Sequence, residues 1–290
     1  MSQQQTVVVT GASSGFGRDT AERFADAGWR VFATIRDPRG RHAEAAAALE
    51  ARGVRVVDLE VTDQASVDRA AAEILATGSV DVLVNNAGAA FSGVQEAFTP
   101  ETARKQFDVN VFGPLRVNRA FLPSMRARRA GLVVFVSSKA GRLAVPFFGV
   151  YAASKWALEA LAETASYEPA PFGVDVAIVQ PGAYTTNISN SSTQADDAER
   201  LAEYGELTPL AANIYGAFAE TSAGRDSREV AEAIFALALQ PAGTRPLRTV
   251  VPDDAGVTAI NDAAAQIQHA ALSAFGLGAL LPKEATPASR

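Results

Sequence analysis

Short apolar runs alternate with helical segments along most of the chain. Thr6–Thr10, Arg30–Ile35, Arg55–Leu59, Val82–Asn85, Leu132–Ser137, Asp175–Gln180 and Thr249–Val251 read as strands, with helical periodicity between them. After Thr62-Asp63, for example, Val67, Ala70, Ala71 and Ile74 recur at the spacing of one helix face. This alternation predicts right-handed βαβ units, hence an α/β fold with a doubly wound parallel sheet of about seven strands. No repeat or linker divides the chain, so residues 1–290 are expected to form a single domain.

Past Thr186 the alternation fails. Asn187-Ile-Ser-Asn-Ser-Ser-Thr-Gln is polar and turn-prone, and two short helical patterns follow before Ser227. An insertion at residues 187–225, after the sixth strand, lies where a substrate lid would sit; a plain surface loop is the alternative. Its polar start predicts mobility without ligand. A helical extension is expected over residues 253–290.

Two motifs carry chemistry. The first strand runs straight into Gly11-Ala-Ser-Ser-Gly15-Phe-Gly17, and a helix follows from about Gly15 to a stop at Gly28. Glycines at such a turn let backbone N–H groups approach a pyrophosphate, and the helix N-terminus adds partial positive charge. In the second motif, Tyr151-Ala-Ala-Ser-Lys155, a phenol and an ammonium are one helical turn apart. A lysine held there would lower the cost of a phenolate and tune the tyrosine toward acid/base work on a carbonyl or alcohol.

Composition narrows the field. The 290 residues are 48% hydrophobic, enough for one large α/β domain, and the net charge of −6 comes without long basic runs, so no nucleic-acid surface is expected. Cysteine is absent, which excludes disulfides, thiol nucleophiles and thiolate metal sites. His42 and His269 lie outside the motifs, so neither a metal site nor a Ser-His-Asp triad is expected. No apolar run approaches a bilayer span, and a cytoplasmic protein without a membrane partner is the expectation.

Over roughly residues 5–252 the chain resembles a classical short-chain dehydrogenase/reductase. Thr10–Gly17 is similar to the family's coenzyme loop, with Gly11, Ser13, Ser14, Gly15, Phe16 and Gly17 as its contacts. Asn85-Asn86-Ala87-Gly88 resembles the motif after the fourth strand, and Asn110 the asparagine of the fourth helix. Ser138 precedes Tyr151 by thirteen positions, where the catalytic serine would stand. Pro181-Gly182, with Thr186 beyond, resembles the motif that borders the nicotinamide. The resemblance implies a Rossmann-type fold and hydride transfer between a nicotinamide coenzyme and a carbonyl or alcohol. It implies that Tyr151 donates the proton and Ser138 holds the substrate oxygen. Lys155 would depress the Tyr151 pKa and bind the nicotinamide ribose, and Asn110 would support a water linked to Lys155. Ser137 is the competing choice for the serine, because neighbouring strand residues face opposite ways.

Coenzyme choice rests on the end of the second strand. An acidic residue there would bind the ribose hydroxyls and repel a 2′-phosphate; this chain has Ile35 and then Arg36, which favours NADP(H) over NAD(H). Asp37 could instead turn inward. Glu60 stands where the family often has Asp, so Glu60-Val61 forms a departure from type in the adenine pocket. Ala89, Val145, Phe148 and Tyr184, with Phe91, Phe147 and Tyr204 nearby, suggest a small-molecule substrate that is a mostly apolar carbonyl or secondary alcohol. A redox-sensing coenzyme-binding protein without turnover, and a sugar epimerase or dehydratase of the extended branch, are the alternatives. Beyond Lys155, Trp156, Leu158, Ala160 and Leu161 leave more apolar surface than one sheet face covers, predicting a homodimer or homotetramer. A helix near Ala255–Phe275 is the other candidate to cover it.

Overall fold

A computed structural model describes residues 4–184 and 193–281. Seven strands form one parallel sheet in the order β3-β2-β1-β4-β5-β6-β7: β1 (Thr6–Thr10), β2 (Arg30–Ile35), β3 (Arg55–Asp58), β4 (Val82–Asn85), β5 (Gly131–Val136), β6 (Val174–Pro181) and β7 (Arg248–Val251). The strands derived from the sequence are all present, with no end moved by more than one residue. They are legible because a parallel strand is buried on both faces and reads as a continuous apolar run.

Alternate residues of these strands feed two cores. Val7 and Val9 pack on one face with Phe24 of α1 (Gly15–Asp26), Leu49 of α2 (Ala43–Glu50) and Ile234 of α9 (Arg228–Leu239). Val8, Leu83 and Phe135 pack on the other with Ile74 of α3 (Gln64–Leu75), Phe121 of α5 (Gly113–Arg128) and Leu158 of α6 (Gly149–Tyr167). Each fully buried Phe, Leu or Ile contributes ~1.5–3 kcal/mol, so the two layers hold the sheet from both sides.

The remaining helices are α4 (Pro100–Phe107), α7 (Ala198–Glu203), α8 (Leu207–Thr221) and α10 (Ala255–Ala274). The last two segments before α9 match the two helical patterns read in the insertion. α10 rests on the body at its first turns, where Val257 and Asn261 are buried. It leaves Phe112, Leu115, Trp156 and Leu161 of the α5 and α6 region exposed, so it is not the cover for that surface. Among the described residues no helix is long and apolar enough to cross a membrane.

β1 pairs with β2 on one side and β4 on the other, so the sheet changes direction of growth between β1 and β4. Crevices at the carboxyl ends of such strands are where doubly wound sheets bind ligands. The glycine loop leaves β1 there, Asn86-Ala87-Gly88 leaves β4, Ser138 follows β5, and Pro181 closes β6.

Candidate active site

The glycine loop is a cradle shaped by contact. Gly11 has φ +67°, and a Cβ on it would stand 2.7 Å from the Ala87 Cα. A Cβ on Gly17 would stand 2.5 Å from the Gly11 carbonyl oxygen and collide with the Asn86 amide. Gly15, at φ +53°, opens α1. The Ser14 side chain does not cap that helix, and its first turn carries no acidic residue, so the leading N–H groups suit an anion. Ser13 lies partly exposed in the same turn. The cradle is stapled to β4: Thr10 Oγ1 accepts from Asn86 N and Ala87 N, both at 3.0 Å, and Asn86 Nδ2 donates to Thr10 O at 2.8 Å and Gly11 O at 3.1 Å. These residues fit a dinucleotide pyrophosphate.

At the end of β2, Ile35 is buried and Arg36 is exposed. Arg36 Nη1 donates to Glu60 Oε2 at 3.2 Å, and the other Glu60 oxygen accepts from Thr62 N at 3.1 Å. Val61 is buried, its carbonyl accepting from Arg116 at 3.2 Å. Asp37 does not turn inward: at φ +49° its carboxylate accepts from Arg41 N at 2.8 Å, closing its own loop. Arg39 is held away by Glu50 at 2.9 Å. Arg18, Arg41 and His42 instead line a cavity of about 350 Å³ beside the loop. Burial, then Arg41 and Arg36, hold the His42 imidazole below its usual range.

The reacting end joins two elements. Ser138 follows β5 and accepts from Ala140 N at 3.1 Å, and its side chain lies beside the phenol of Tyr151 in the first turn of α6. Ser137 points elsewhere, its Oγ buried without a hydrogen bond, which leaves Ser138 as the serine beside the phenol. Phe148 meets Tyr151 edge to face at 5.9 Å between ring centroids. Lys155 is buried, and its Nζ donates to the Val136 carbonyl at 2.9 Å. Burial draws the ammonium down to about 8, opposed by Glu159.

The expected depression of the Tyr151 pKa by Lys155 is not what this geometry gives. The lysine nitrogen lies 5.9 Å from the ring centroid and is engaged by Val136. The residue keeps partial exposure, and burial raises the phenol, with Ser138 opposing.

Asn110 occupies a π-helical turn, Asp108–Phe112, between α4 and α5, rather than a regular helix. Fully buried, its Oδ1 accepts from Ala89 N at 2.9 Å, and its Nδ2 donates to Ala89 O at 2.9 Å and Ser154 Oγ at 3.0 Å. Ser154 in turn donates to Tyr151 O at 2.7 Å. Asn110 therefore ties the segment after β4 to α6. A Cβ on Gly88 would lie 3.4 Å from Asn110 Oδ1 and 3.8 Å from Lys155 Nζ, so the three residues are stacked closely.

Residues 5–197 match the family model described as short chain dehydrogenase. The chain belongs to the short-chain dehydrogenase family. Among curated relatives, it is 37% identical over 202 residues to 3-ketodihydrosphingosine reductase of Bacteroides thetaiotaomicron, covering 67% of this chain and 72% of that protein. It is 36% identical over 245 residues to human 17-beta-hydroxysteroid dehydrogenase type 1, covering 81% and 74%. A short-chain dehydrogenase structure from Streptomyces avermitilis superposes with a TM-score of 0.76 at 34% identity, over 95% of this chain and 97% of that one. Related structures include a metagenomic short-chain oxidoreductase in complex with NADP (TM-score 0.65, 26% identity, 85% and 96% covered). Another is a Burkholderia phymatum family member in complex with NAD (0.75, 27%, 99% of both chains). This short-chain dehydrogenase is an oxidoreductase of the carbonyl and CH–OH class.

In this short-chain dehydrogenase the substrate side divides unevenly. Ala89 is fixed by Asn110, Val145 is partly buried in the turn before α6, and Phe148 is against Tyr151. Tyr184, expected in the substrate pocket, is committed elsewhere: its ring meets Phe16 of the glycine loop at 5.4 Å, and its hydroxyl donates to Glu229 at 2.9 Å. Phe91 is buried, with its N–H donating to Gln106 Oε1 at 2.7 Å; Phe147 packs in the cluster shared with Leu201 and Tyr204 of the insertion, and the Tyr204 hydroxyl donates to Glu96 at 2.7 Å. Pro181-Gly182 borders Lys139, and Thr186, with the polar stretch after it as far as residue 192, lies outside the described residues. The described part of the insertion is pinned by Asp196, which accepts from Thr99 N, Thr99 Oγ1 and Thr102 Oγ1 at 2.7–3.0 Å.

Thr10 and Ser154 are organising residues that motif reading passed over. Both were legible in position, Thr10 at the end of the first strand and Ser154 three residues past Tyr151 on the helix, but their partners are 74 or more and 44 residues away in the chain.

Proposed function

We propose that this short-chain dehydrogenase interconverts a ketone or aldehyde and the corresponding alcohol with NADP(H), using Tyr151 as general acid and base. The Ser138 hydroxyl beside the Tyr151 phenol, with Lys155 buried one turn further on, carries the reading. Gly11, Ser13, Ser14, Gly15, Phe16 and Gly17 would hold the pyrophosphate; Glu60, Val61, Asn86, Ala87 and Gly88 would line the nucleoside, and Pro181-Gly182 the nicotinamide end. Bound there, the coenzyme supplies or accepts the hydride. In reduction, Ser138 holds the substrate oxygen and Tyr151 gives its proton to that oxygen. Lys155, buried one turn beyond Tyr151 with its Nζ on the Val136 carbonyl, would bind the nicotinamide ribose.

Arg36 supports the choice of NADP(H): it is exposed, basic, and follows a buried Ile35 in place of an acidic residue. Arg41 adds positive charge at the nearby cavity, where Arg18 is already paired with Glu22 at 2.9 Å and Glu44 lines the same wall. A substrate of mostly apolar character suits Phe148 beside the reacting phenol.

A coenzyme sensor would need no proton donor, and the assembled Ser138, Tyr151 and Lys155 set favours turnover. Initial rates on a panel of ketones, aldehydes and alcohols, each with both coenzymes, test the proposal. Turnover of carbonyls with NADPH ahead of NADH is expected; coenzyme binding without turnover of any member would favour the sensor.

A further inference from the structure

Ser138 and the Tyr151–Lys155 pair sit on separate elements, so keeping the serine beside the phenol demands a fixed seat for the segment after β5 on α6. Glu159 is beneath that seat, one turn beyond Lys155 and 2% exposed. At Gly141 the segment closes so far that a Cβ would stand 2.9 Å from both Glu159 Cγ and Ser137 Oγ. The glycine there is required by contact alone. The next residue, Arg142, brings its Nη2 to 3.7 Å from the Glu159 carboxylate and 3.8 Å from that of Glu163.

The same carboxylate is gripped from the sheet. Arg248 of β7 donates to Glu159 at 2.9 Å and to Glu163 at 2.6 Å, and Gln180 of β6 donates to the other Glu159 oxygen at 2.9 Å. Asn261 of α10 closes the ring, accepting from Arg142 Nε at 3.0 Å and donating to Gln180 Oε1 at 2.7 Å. Asp254, the N-cap of α10, pairs with Lys139 at 3.0 Å, so α10 holds the residues just after Ser138 at two points. Two guanidiniums balance two carboxylates. An apolar cluster of equal volume is often at least as stable, but ionic and hydrogen-bonded contacts fix direction as well as distance.

We propose that Glu159 is a positioning residue: wedged between α6 and the segment Ser138–Arg142, its carboxylate sets Ser138 against Tyr151, and Asn261 braces that segment from α10. The inference rests on the reading that Ser138 and Tyr151 handle the substrate oxygen and its proton. Glu159 touches neither substrate nor coenzyme in this scheme. Its loss therefore acts on the rate of the bound complex and not on assembly of that complex.

The test uses the full chain with Glu159→Gln, Asn261→Ala, Gly141→Ala, and Asp175→Asn as a stability control. Asp175 pairs with Arg245 at 2.5 Å on the same sheet edge and has no contact with the Ser138 segment. For each, kcat, the Kd for NADPH by fluorescence, and Tm are measured. Because small misplacements of reacting groups cost up to ~100-fold, Glu159→Gln is expected to lower kcat at least ~10-fold, and Asn261→Ala and Gly141→Ala ~3- to 10-fold, with the NADPH Kd within about threefold. Asp175→Asn should lower Tm and keep kcat. Wild-type kcat in folded Asn261→Ala and Gly141→Ala proteins overturns the proposal, and those two decide it if Glu159→Gln does not fold. An equal loss of kcat in Asp175→Asn also overturns it, as general destabilisation. Tyr151→Phe in the same series separates the two claims: if it retains turnover, the reading of the site fails; if it is inactive while the Glu159 series is unaffected, only the positioning role fails.

Discussion

Ser138 and Tyr151, brought in by the segment after β5 and by α6, set hydroxyl beside phenol in a setting whose burial raises the phenol pKa. A high pKa keeps Tyr151 protonated at neutral pH, as a proton donor to a carbonyl must be before hydride arrives. Replacing it with phenylalanine keeps the ring contact with Phe148 and removes only the proton and the Ser138 partner. Tyr151→Phe should therefore lower kcat by at least ~100-fold while the coenzyme Kd stays within about threefold. Near-normal turnover by a folded Tyr151→Phe protein would remove this residue from the chemistry.

Lys155 links the site to stability. Its folded pKa of about 8 lies below the unfolded value, so the unfolded chain holds the proton more tightly between about 8 and 10.5. The cost of burying the ammonium is thus fully present below pH 8 and fades as pH rises toward 10.5. Lys155→Met should be more stable than wild type at pH 7 by ~1–3 kcal/mol, the burial cost less one lost hydrogen bond to Val136. Urea midpoints measured from pH 7 to 10.5 should converge. A constant gap, or a less stable mutant at pH 7, would contradict the assignment.

The sheet was legible because β1, β4, β5 and β6 are buried on both faces, and continuous Val-rich runs have few other uses. The glycine loop and the Tyr151–Lys155 spacing were legible because both depend on neighbours in sequence. Three features were not. The phenol pKa depends on where the Lys155 nitrogen comes to rest, and the Val136 carbonyl that takes it is 19 residues upstream. Tyr184 follows the β6 motif, as a substrate contact would, but its partner Glu229 is on α9, 45 residues away. The Glu159 cluster joins α6, β6, β7 and α10, and in sequence its carboxylates read as one polar side of an amphipathic helix.

The described start of the insertion is anchored, and the anchor is an acid. Three hydrogen bonds from Thr99 and Thr102 hold the Asp196 carboxyl down to about 2. Such a group stabilises the docked state above its unfolded pKa of ~3.9, and that stabilisation disappears as pH falls through about 2. Asp196→Ala should accelerate hydrogen exchange across α7 at neutral pH, with little change in the sheet. Addition of coenzyme and substrate should slow exchange in the segment following Asp196; equal exchange with and without ligands would make it a static wall.

The α5 and α6 face predicts assembly. Phe112, Leu115, Trp156 and Leu161 are exposed there, and a groove between the helices is floored by Leu122, Phe135 and Leu158. Since α10 leaves this surface uncovered, a second copy is the expected partner, giving a dimer or tetramer. Light scattering at assay concentration should give a multiple of 30.3 kDa, and Trp156→Glu should return it to that mass. A wild-type mass of one chain would count against the interface.

Arg36 is expected to set coenzyme preference. Its present partner is Glu60 at 3.2 Å, and both side chains reach solvent. An exposed pair of this kind contributes only ~0–1 kcal/mol, so turning the guanidinium onto a 2′-phosphate costs little. A charge-assisted contact to that phosphate contributes ~1.5–3 kcal/mol, and at ~1.4 kcal/mol per decade Arg36→Ala should weaken NADPH by roughly 10- to 100-fold with NADH almost unchanged. Glu60→Gln, which removes the competing carboxylate, should tighten NADPH by a few-fold. Ile35→Asp would also oppose the phosphate, but Ile35 is 1% exposed, so that substitution buries a carboxylate and lowers stability as well. Arg41 and Arg18 line the neighbouring cavity and can share the charge, in which case removing them with Arg36 completes a partial loss. The ratio of kcat/KM for NADPH and NADH in wild type and Arg36→Ala is decisive: a wild type that prefers NADH, or a ratio unchanged even in the triple variant, excludes this role.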